Sequence, residues 1–202
     1  MADNVVVADD GVDQSRRKFL TNATIATGAV GAVFVAVPFV ESWTPSERAR
    51  ALGAPTELDI SKIDAGQMTI AIWRRKPIYV VRRTPEMLQH LQGHDGDLKD
   101  SKSESSDQPD YAKNVRRSRS DEFLVLVGTC THLGCLPKQR FQAGELGPSW
   151  PGGFFCPCHG SRFDLAGRVF NGSPASVNLV VPRYEYPSEN LLRIGVDEKG
   201  AA

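Results

Sequence analysis

The sequence is short of three things, and each shortage limits what the chain can be. It lacks net charge: 24 lysines and arginines balance 24 aspartates and glutamates over 202 residues. That leaves no basic excess for a nucleic-acid partner and no sign of an acidic substrate. Its apolar fraction of 41% is ordinary for a globular protein and too low for a chain that crosses a membrane many times. At this length one ordinary domain fits with extra segments, but not two full domains. Cysteine is also scarce. There are four, all lying between Cys130 and Cys158 in two close pairs. A disulfide scaffold spreads its cysteines to staple loops across a whole domain, so this clustering points to a local site.

What is present begins with an address and an anchor. Residues 1–14 are polar and acidic without apolar periodicity, the composition of a disordered tail. Ser15, Arg16, Arg17, Lys18, Phe19 and Leu20 follow, directly ahead of an apolar stretch. The run resembles the bacterial twin-arginine export signal, a receptor-read address for proteins moved already folded. The plainer reading is a basic cluster obeying the positive-inside rule, and both leave the N-terminus in the cytoplasm. Residues 19–40 carry no charge and would span ~33 Å as a helix, enough for one crossing of the bilayer. Small residues such as Gly28 and Gly31 suit a twin-arginine segment and packing against other helices. The cleavage candidate before Glu41 reads Pro38, Phe39, Val40, a poor fit to the small-residue pattern, so the segment is expected to stay as an anchor. Beyond it, Thr44 as N-cap, Pro45 and Glu47 predict a short helix that Gly53 ends before Pro55. Such a helix is marginal alone, and 41–55 reads as a tether reaching up to ~50 Å when extended.

From residue 56 onward the pattern is short β runs, at 58–60, 69–73, 78–83, 123–127, 177–181 and 191–194. Thr84, Pro85 and Glu86 open a short helix through Leu91. Residues 92–120 are polar, low in complexity and serine-rich, and read as a long surface insertion. His90 and His94 stand four apart, but Gly93 and the polar surroundings make them solvated surface residues. Trp73 and Trp150 read as packing residues rather than electron relays. The expected architecture is mostly β, in small antiparallel sheets with the site on loops between strands.

The chemistry lies in two loops: Cys130, Thr131, His132, Leu133, Gly134, Cys135 and Cys156, Pro157, Cys158, His159, Gly160, Ser161. Thiolate with imidazole suits zinc or an iron–sulfur cluster. A structural Cys2His2 zinc would leave two cysteines spare, and C-x-H departs from finger spacing. A thioredoxin-like motif needs two residues between its cysteines, and Cys156 and Cys158 have one. A nucleophilic Cys–His site would not need the pattern twice.

C-T-H-L-G-C followed by C-P-C-H-G-S resembles the signature of Rieske proteins, where two histidines bind one iron of a [2Fe–2S] cluster and two cysteines the other. From the arginine pair through Pro182 the chain is similar to the Rieske subunit of the cytochrome bc1 complex, ubiquinol–cytochrome c reductase, of bacterial type. The resemblance implies a tail with its signal over 1–18, a transmembrane anchor over 19–40, a tether over 41–55 and a Rieske domain over 56–202. The cluster-binding subdomain would fall at about 128–177. It assigns Cys130 and Cys156 to the inner iron, His132 and His159 to the outer one, and Cys135–Cys158 to a disulfide, which suits an oxidising compartment. His159 would bond the quinol hydroxyl, Leu133 would shield the cluster, and Ser161 would bond a bridging sulfide. Pro174 would belong to the loop covering the cluster, where Ser176 replaces a second proline common in the family. The partners implied are ubiquinol, cytochrome b and a c-type cytochrome in a dimeric complex of the bacterial inner membrane, with the domain in the periplasm and no nucleic acid. Two rivals remain: the small subunit of another exported oxidoreductase of arsenite-oxidase type, and a zinc-stabilised binding module.

Phe163 departs from the pattern. Many relatives have a tyrosine there that donates to a cluster cysteine sulfur, and phenylalanine has no hydroxyl. Stabilising the reduced cluster less, Phe163 should lower its potential. Voltammetry on Phe163→Tyr is expected to show a higher midpoint potential, and a fall or no change refutes the assignment.

Overall fold

The computed structural model describes Gly11 and residues 13–201. The polar tail expected over residues 1–14 therefore lies almost wholly outside the described residues. The chain divides into two units, Met1–Ala49 and Arg50–Ala202.

The first unit is dominated by α1 (Gln14–Glu41). Asp13 caps it, its Oδ1 accepting the N–H of Ser15 at 2.9 Å and of Arg16 at 3.1 Å. The helix therefore begins ahead of the uncharged stretch, with Arg16 and Arg17 in its first turn. A carboxylate there satisfies orphan amides and suits the positive end of the helix dipole. At about 42 Å and with a mean hydropathy of 2.0 in its most apolar window, α1 is long and apolar enough to cross a membrane. The Thr24 and Thr27 hydroxyls each donate back to a carbonyl one turn earlier, at 2.9 Å, so their polar atoms are satisfied within the helix, as lipid requires. Then α2 (Glu47–Gly53) follows. Its start differs from expectation: Ser46 Oγ accepts the Ala49 N–H at 3.2 Å, whereas the Thr44 hydroxyl turns back to the Glu41 carbonyl at 2.7 Å.

The second unit is built from β1 (Thr56–Asp59), β2 (Met68–Trp73), β3 (Lys76–Arg82), β4 (Phe123–Val127), β5 (Lys138–Arg140), β6 (Gly153–Phe155), β7 (Arg162–Asp164), β8 (Tyr184–Ser188), β9 (Leu191–Ile194), β10 (Val196–Asp197) and β11 (Gly200–Ala201), with α3 (Pro85–Gln89) after β3. The pairings are antiparallel, in the orders β1-β9-β8, β2-β3-β4, β5-β6-β7 and β10-β11. This is the mostly β architecture of small antiparallel sheets that the sequence predicts. β4 is buried along its whole length, which explains its unbroken apolar run rather than an alternating one. One core joins Ile78, Val80, Leu124 and Leu126 to Tyr184 and Leu192 on one side and to Phe154, Phe163 and Leu179 on the other. The β5–β7 sheet thus has no separate core. Trp73 and Trp150 are buried, Trp150 against Leu98 and Phe170.

Three expectations need correction. Residues 177–181 form no ladder. The Val180 carbonyl takes the Val127 N–H, while the N–H groups of Leu179 and Val181 go to Gly167 and Asp107, at 2.8, 2.8 and 3.2 Å. Partners on three different segments make an extended strap, not a strand.

Residues 92–120 are exposed along about half their length, but they are not a loose insertion. Arg117 is fully buried and Ser103, Gln108 and Ser118 nearly so. Asp100 accepts the N–H groups of Glu104 and Ser105 and the Ser106 hydroxyl. Asn178 donates to the Asp100 carbonyl at 2.8 Å and to Ser103 Oγ at 2.9 Å, and accepts the Val169 N–H at 2.8 Å. Arg83, also buried, gives its guanidinium to the carbonyls of Asp121, Arg116, Leu165 and Ser120 and to Ser118 Oγ. Burial brings both Arg83 and Arg117 down to about 10. The polar composition that looks like loose chain is used to saturate buried carbonyls.

His94 is not solvated. Its side chain is 13% exposed, stands 3.3 Å from Asp164 Oδ2 and stacks on Phe170. Asp164 is a hub with no exposure. It also takes the Arg168 guanidinium at 2.7 Å and the N–H groups of Ala166 and Arg168 at 2.9 and 2.8 Å.

Burial alone would raise the Asp164 carboxyl, but the bonds from His94, Arg168 and Ala166 outweigh it and hold the group below the usual carboxylate range. A lowered folded value means that the stabilisation is complete above the unfolded pKa, ~3.9, and drains away as pH falls below it. Asp164→Asn should cost ~3 kcal/mol at pH 7, because Arg168 stays buried with a poorer partner. Urea unfolding of the variant should also depend less on pH below ~4.

Candidate metal centre

The two Cys/His loops repeat one backbone plan. In the first, Cys130 N–H donates to the Cys135 carbonyl at 2.7 Å and Gly134 N–H donates back to the Cys130 carbonyl at 3.0 Å. In the second, Cys156 N–H donates to the Ser161 carbonyl at 2.8 Å and Gly160 N–H to the Cys156 carbonyl at 2.9 Å. Gly134 and Gly160 close the turns at φ +83 and +80, where a side chain would be strained. Each loop springs from a sheet: the first follows β4 through Gly128 and Thr129, the second joins β6 to β7. Gly128 has no room for a Cβ, which would run into the Tyr79 ring. That close approach lets the Tyr79 hydroxyl donate to the Pro137 carbonyl at 2.9 Å, pinning the far end of the first loop to β3. The Thr131 hydroxyl ties the loop to the Val177 carbonyl at 2.6 Å.

The loops bring together the residues singled out in the sequence. Cys135 and Cys158 are joined in a disulfide, Cα atoms 6.6 Å apart. Cys130 and Cys156 are free thiols, 3% and 2% exposed. The His132 and His159 rings meet edge to face with centroids 4.9 Å apart; His132 is half-buried and His159 exposed. The sulfurs of Cys135, Cys156 and Cys158 also lie within 4.8 Å of one another, but a disulfide offers no thiolate, so that trio is not a ligand set. Two observations fit a bound metal group. His132 Nδ1 is buried and has no hydrogen-bond partner among the described residues, a cost of ~1–3 kcal/mol unless something else takes its lone pair. The Cys130 thiol is pushed up by burial, against the opposing pull of the His132 N–H and the Ser161 hydroxyl. A metal would displace that proton and supply the missing charge. Two thiolates below two imidazoles suit an iron–sulfur group with mixed ligands.

Around them, Ser161 is fully buried and its Oγ accepts the Ala175 N–H at 3.0 Å. Phe163 lies in β7 opposite Phe154, wholly buried, so it packs the sheet behind the second loop. Pro174 is exposed, and Leu133 is 70% exposed beside His132. Sequence reasoning missed Tyr79, whose one signal was the glycine facing it at position 128.

Fold and donor set together define a Rieske-type iron–sulfur protein, and residues 89–185 match the family model described as Rieske [2Fe-2S] domain. Residues 7–46 match another, described as ubiquitinol-cytochrome C reductase Fe-S subunit TAT signal. The ubiquinol-cytochrome c reductase iron-sulfur subunit of Allochromatium vinosum is 52% identical over 95% of this chain and 93% of its own. The subunit of the same name from Blastochloris viridis is 42% identical over 94% and 98%. A solved chain titled hyperthermophilic respiratory Complex III covers 85% of this chain and 98% of its own at 27% identity and a TM-score of 0.45. The chain belongs to the family of ubiquinol–cytochrome c reductase iron–sulfur subunits, and its cofactor is a [2Fe–2S] cluster. The domain match includes the segment 92–120.

The disulfide closes a loop with a sequence separation of 23, which by chain entropy stabilises by ~3 kcal/mol. Replacing Cys135 and Cys158 together with serine should lower the urea midpoint accordingly, and the visible absorbance of the cluster should be lost in the same transition, since both loops are held at that bond.

Proposed function

We propose that this chain is the electron-transfer subunit that takes one electron and a proton from ubiquinol and delivers the electron to a c-type cytochrome. The observation that carries the reading is the gradient across the site: buried thiols at Cys130 and Cys156, a half-buried imidazole at His132 and an exposed one at His159. On this reading Cys130 and Cys156 hold the inner iron and His132 and His159 the outer one. When bound, the cluster supplies a one-electron acceptor at a potential raised by its neutral ligands. His159, exposed, would hydrogen-bond the quinol hydroxyl and accept its proton, the role an imidazole suits near neutral pH. Leu133 keeps water from the same edge. The Cys135–Cys158 disulfide holds the two loops so that both imidazoles keep their positions.

The names of the relatives at 52% and 42% identity support ubiquinol as the reductant and a cytochrome c as the acceptor; cytochrome b and a c-type cytochrome in a dimeric complex are the partners that we propose with them. They do not favour an arsenite-oxidase type of small subunit. The twin-arginine match and the apolar helix support a single-pass protein of the bacterial inner membrane, residues 1–18 cytoplasmic, 19–40 spanning, 41–55 a tether and the domain periplasmic.

Purification through this chain should bring down b- and c-type haems, and the reduced preparation should give an electron paramagnetic resonance signal with a low average g. A silent spectrum would indicate zinc instead, and a cluster signal without haem would point to another oxidoreductase.

A further inference from the structure

Residues 171–176 run beside Ser161 and Arg162, at the end of the second loop, without a ladder of their own. Asn171 N–H goes to the Asp97 carbonyl at 2.7 Å and Ser173 N–H to the Phe170 carbonyl at 3.2 Å. Ser173 Oγ accepts the Arg162 N–H at 3.0 Å, and Ala175 N–H donates to Ser161 Oγ at 3.0 Å. The carbonyls on either side of Pro174, those of Ser173 and Ala175, both point to one group: Lys99 Nζ donates to them at 2.6 and 2.8 Å. Charge-assisted bonds of this kind are about twice as strong as neutral ones. The lysine is also aimed. Its own N–H bonds the Val169 carbonyl at 3.0 Å, next to the bridge between Leu98 and Phe170, and Leu98 packs on Trp150 and Phe170.

We propose that Lys99 is a positioning residue for the cluster: by gathering the Ser173 and Ala175 carbonyls it fixes the Ala175 amide against Ser161 Oγ, and so sets where the Ser161 hydroxyl points its proton. A hydroxyl has one proton and two lone pairs. With the Ala175 N–H held on a lone pair, the proton is left free to turn toward a sulfur of the cluster. Ser161 is fully buried, so no bulk water competes for that bond. A donor aimed at sulfur favours the reduced, more negative cluster and raises its potential. Pro174 is the loop's single proline, so the stiffness that a second would give the backbone comes from the lysine across the fold.

This rests on Cys130 and Cys156 holding the cluster, so the cluster signal of the unaltered complex is read first; its absence would remove that reading and this one with it. The potential is then measured by redox titration in the assembled complex. Lys99→Met should lose roughly tenfold in the equilibrium constant for one-electron reduction, a fall of ~59 mV. In a Ser161→Ala background the same substitution should produce less than half that fall. An unchanged potential in Lys99→Met overturns the proposal. So does an equal fall in both backgrounds, which would make Lys99 a distant charge and nothing more. Should Lys99→Met fail to retain the cluster, Lys99→Gln removes the charge more gently and is judged by the same outcomes.

Discussion

The structure depends on the requirement that buried carbonyls and amides find partners. The Rieske domain places its most important residues in loops, and loops have no ladder to satisfy their backbones. Side chains do it instead. Arg83 covers four carbonyls, and Arg168 joins Asp164, Asp95 and the Leu91 carbonyl. Asn178 ties three segments together. Each uses several donors of a planar or forked group at once, which a single backbone amide cannot do. Only on this frame do the Cys/His loops have something rigid to stand on.

The site was the most legible part of the sequence, because ligand chemistry needs particular residue types at particular spacing. The two hexapeptides stand out in any background. The core strands were readable too, since β3 and β4 are runs of Ile, Val and Leu with no other use for such residues. The strands β5, β6 and β7 were not. Three residues such as Lys138, Gln139 and Arg140 show no alternation, and the loops that they carry hold them in place. The β2–β3 hairpin turn was equally hidden: Arg74 and Arg75 adopt φ +49 and +62, where glycine or asparagine is usual, and the Arg74 guanidinium lies over the Trp73 ring at 4.7 Å.

The segment 92–120 shows why polar composition misleads. Serine, lysine, aspartate and arginine are what a solvated loop contains, and they are also what a carbonyl-rich interior needs. The two cases differ only in what lies opposite, and that is a long-range fact. Lys99 bonds residues more than seventy positions away, and His94 finds Asp164 at a separation of 70. No window of local sequence contains both ends of such a pair.

Those separations have a consequence for time. Arg83 reaches Leu165 across 82 residues, Asn178 reaches Asp100 across 78, and Arg168 reaches Leu91 across 77. Contacts that close such long stretches pay their entropy before they return any stabilisation, so domains made of them fold slowly. During synthesis Arg16 and Arg17 emerge long before the strap at residues 177–181. The export address is therefore legible long before the cargo is finished, and an apparatus that moves only folded proteins has to wait for it.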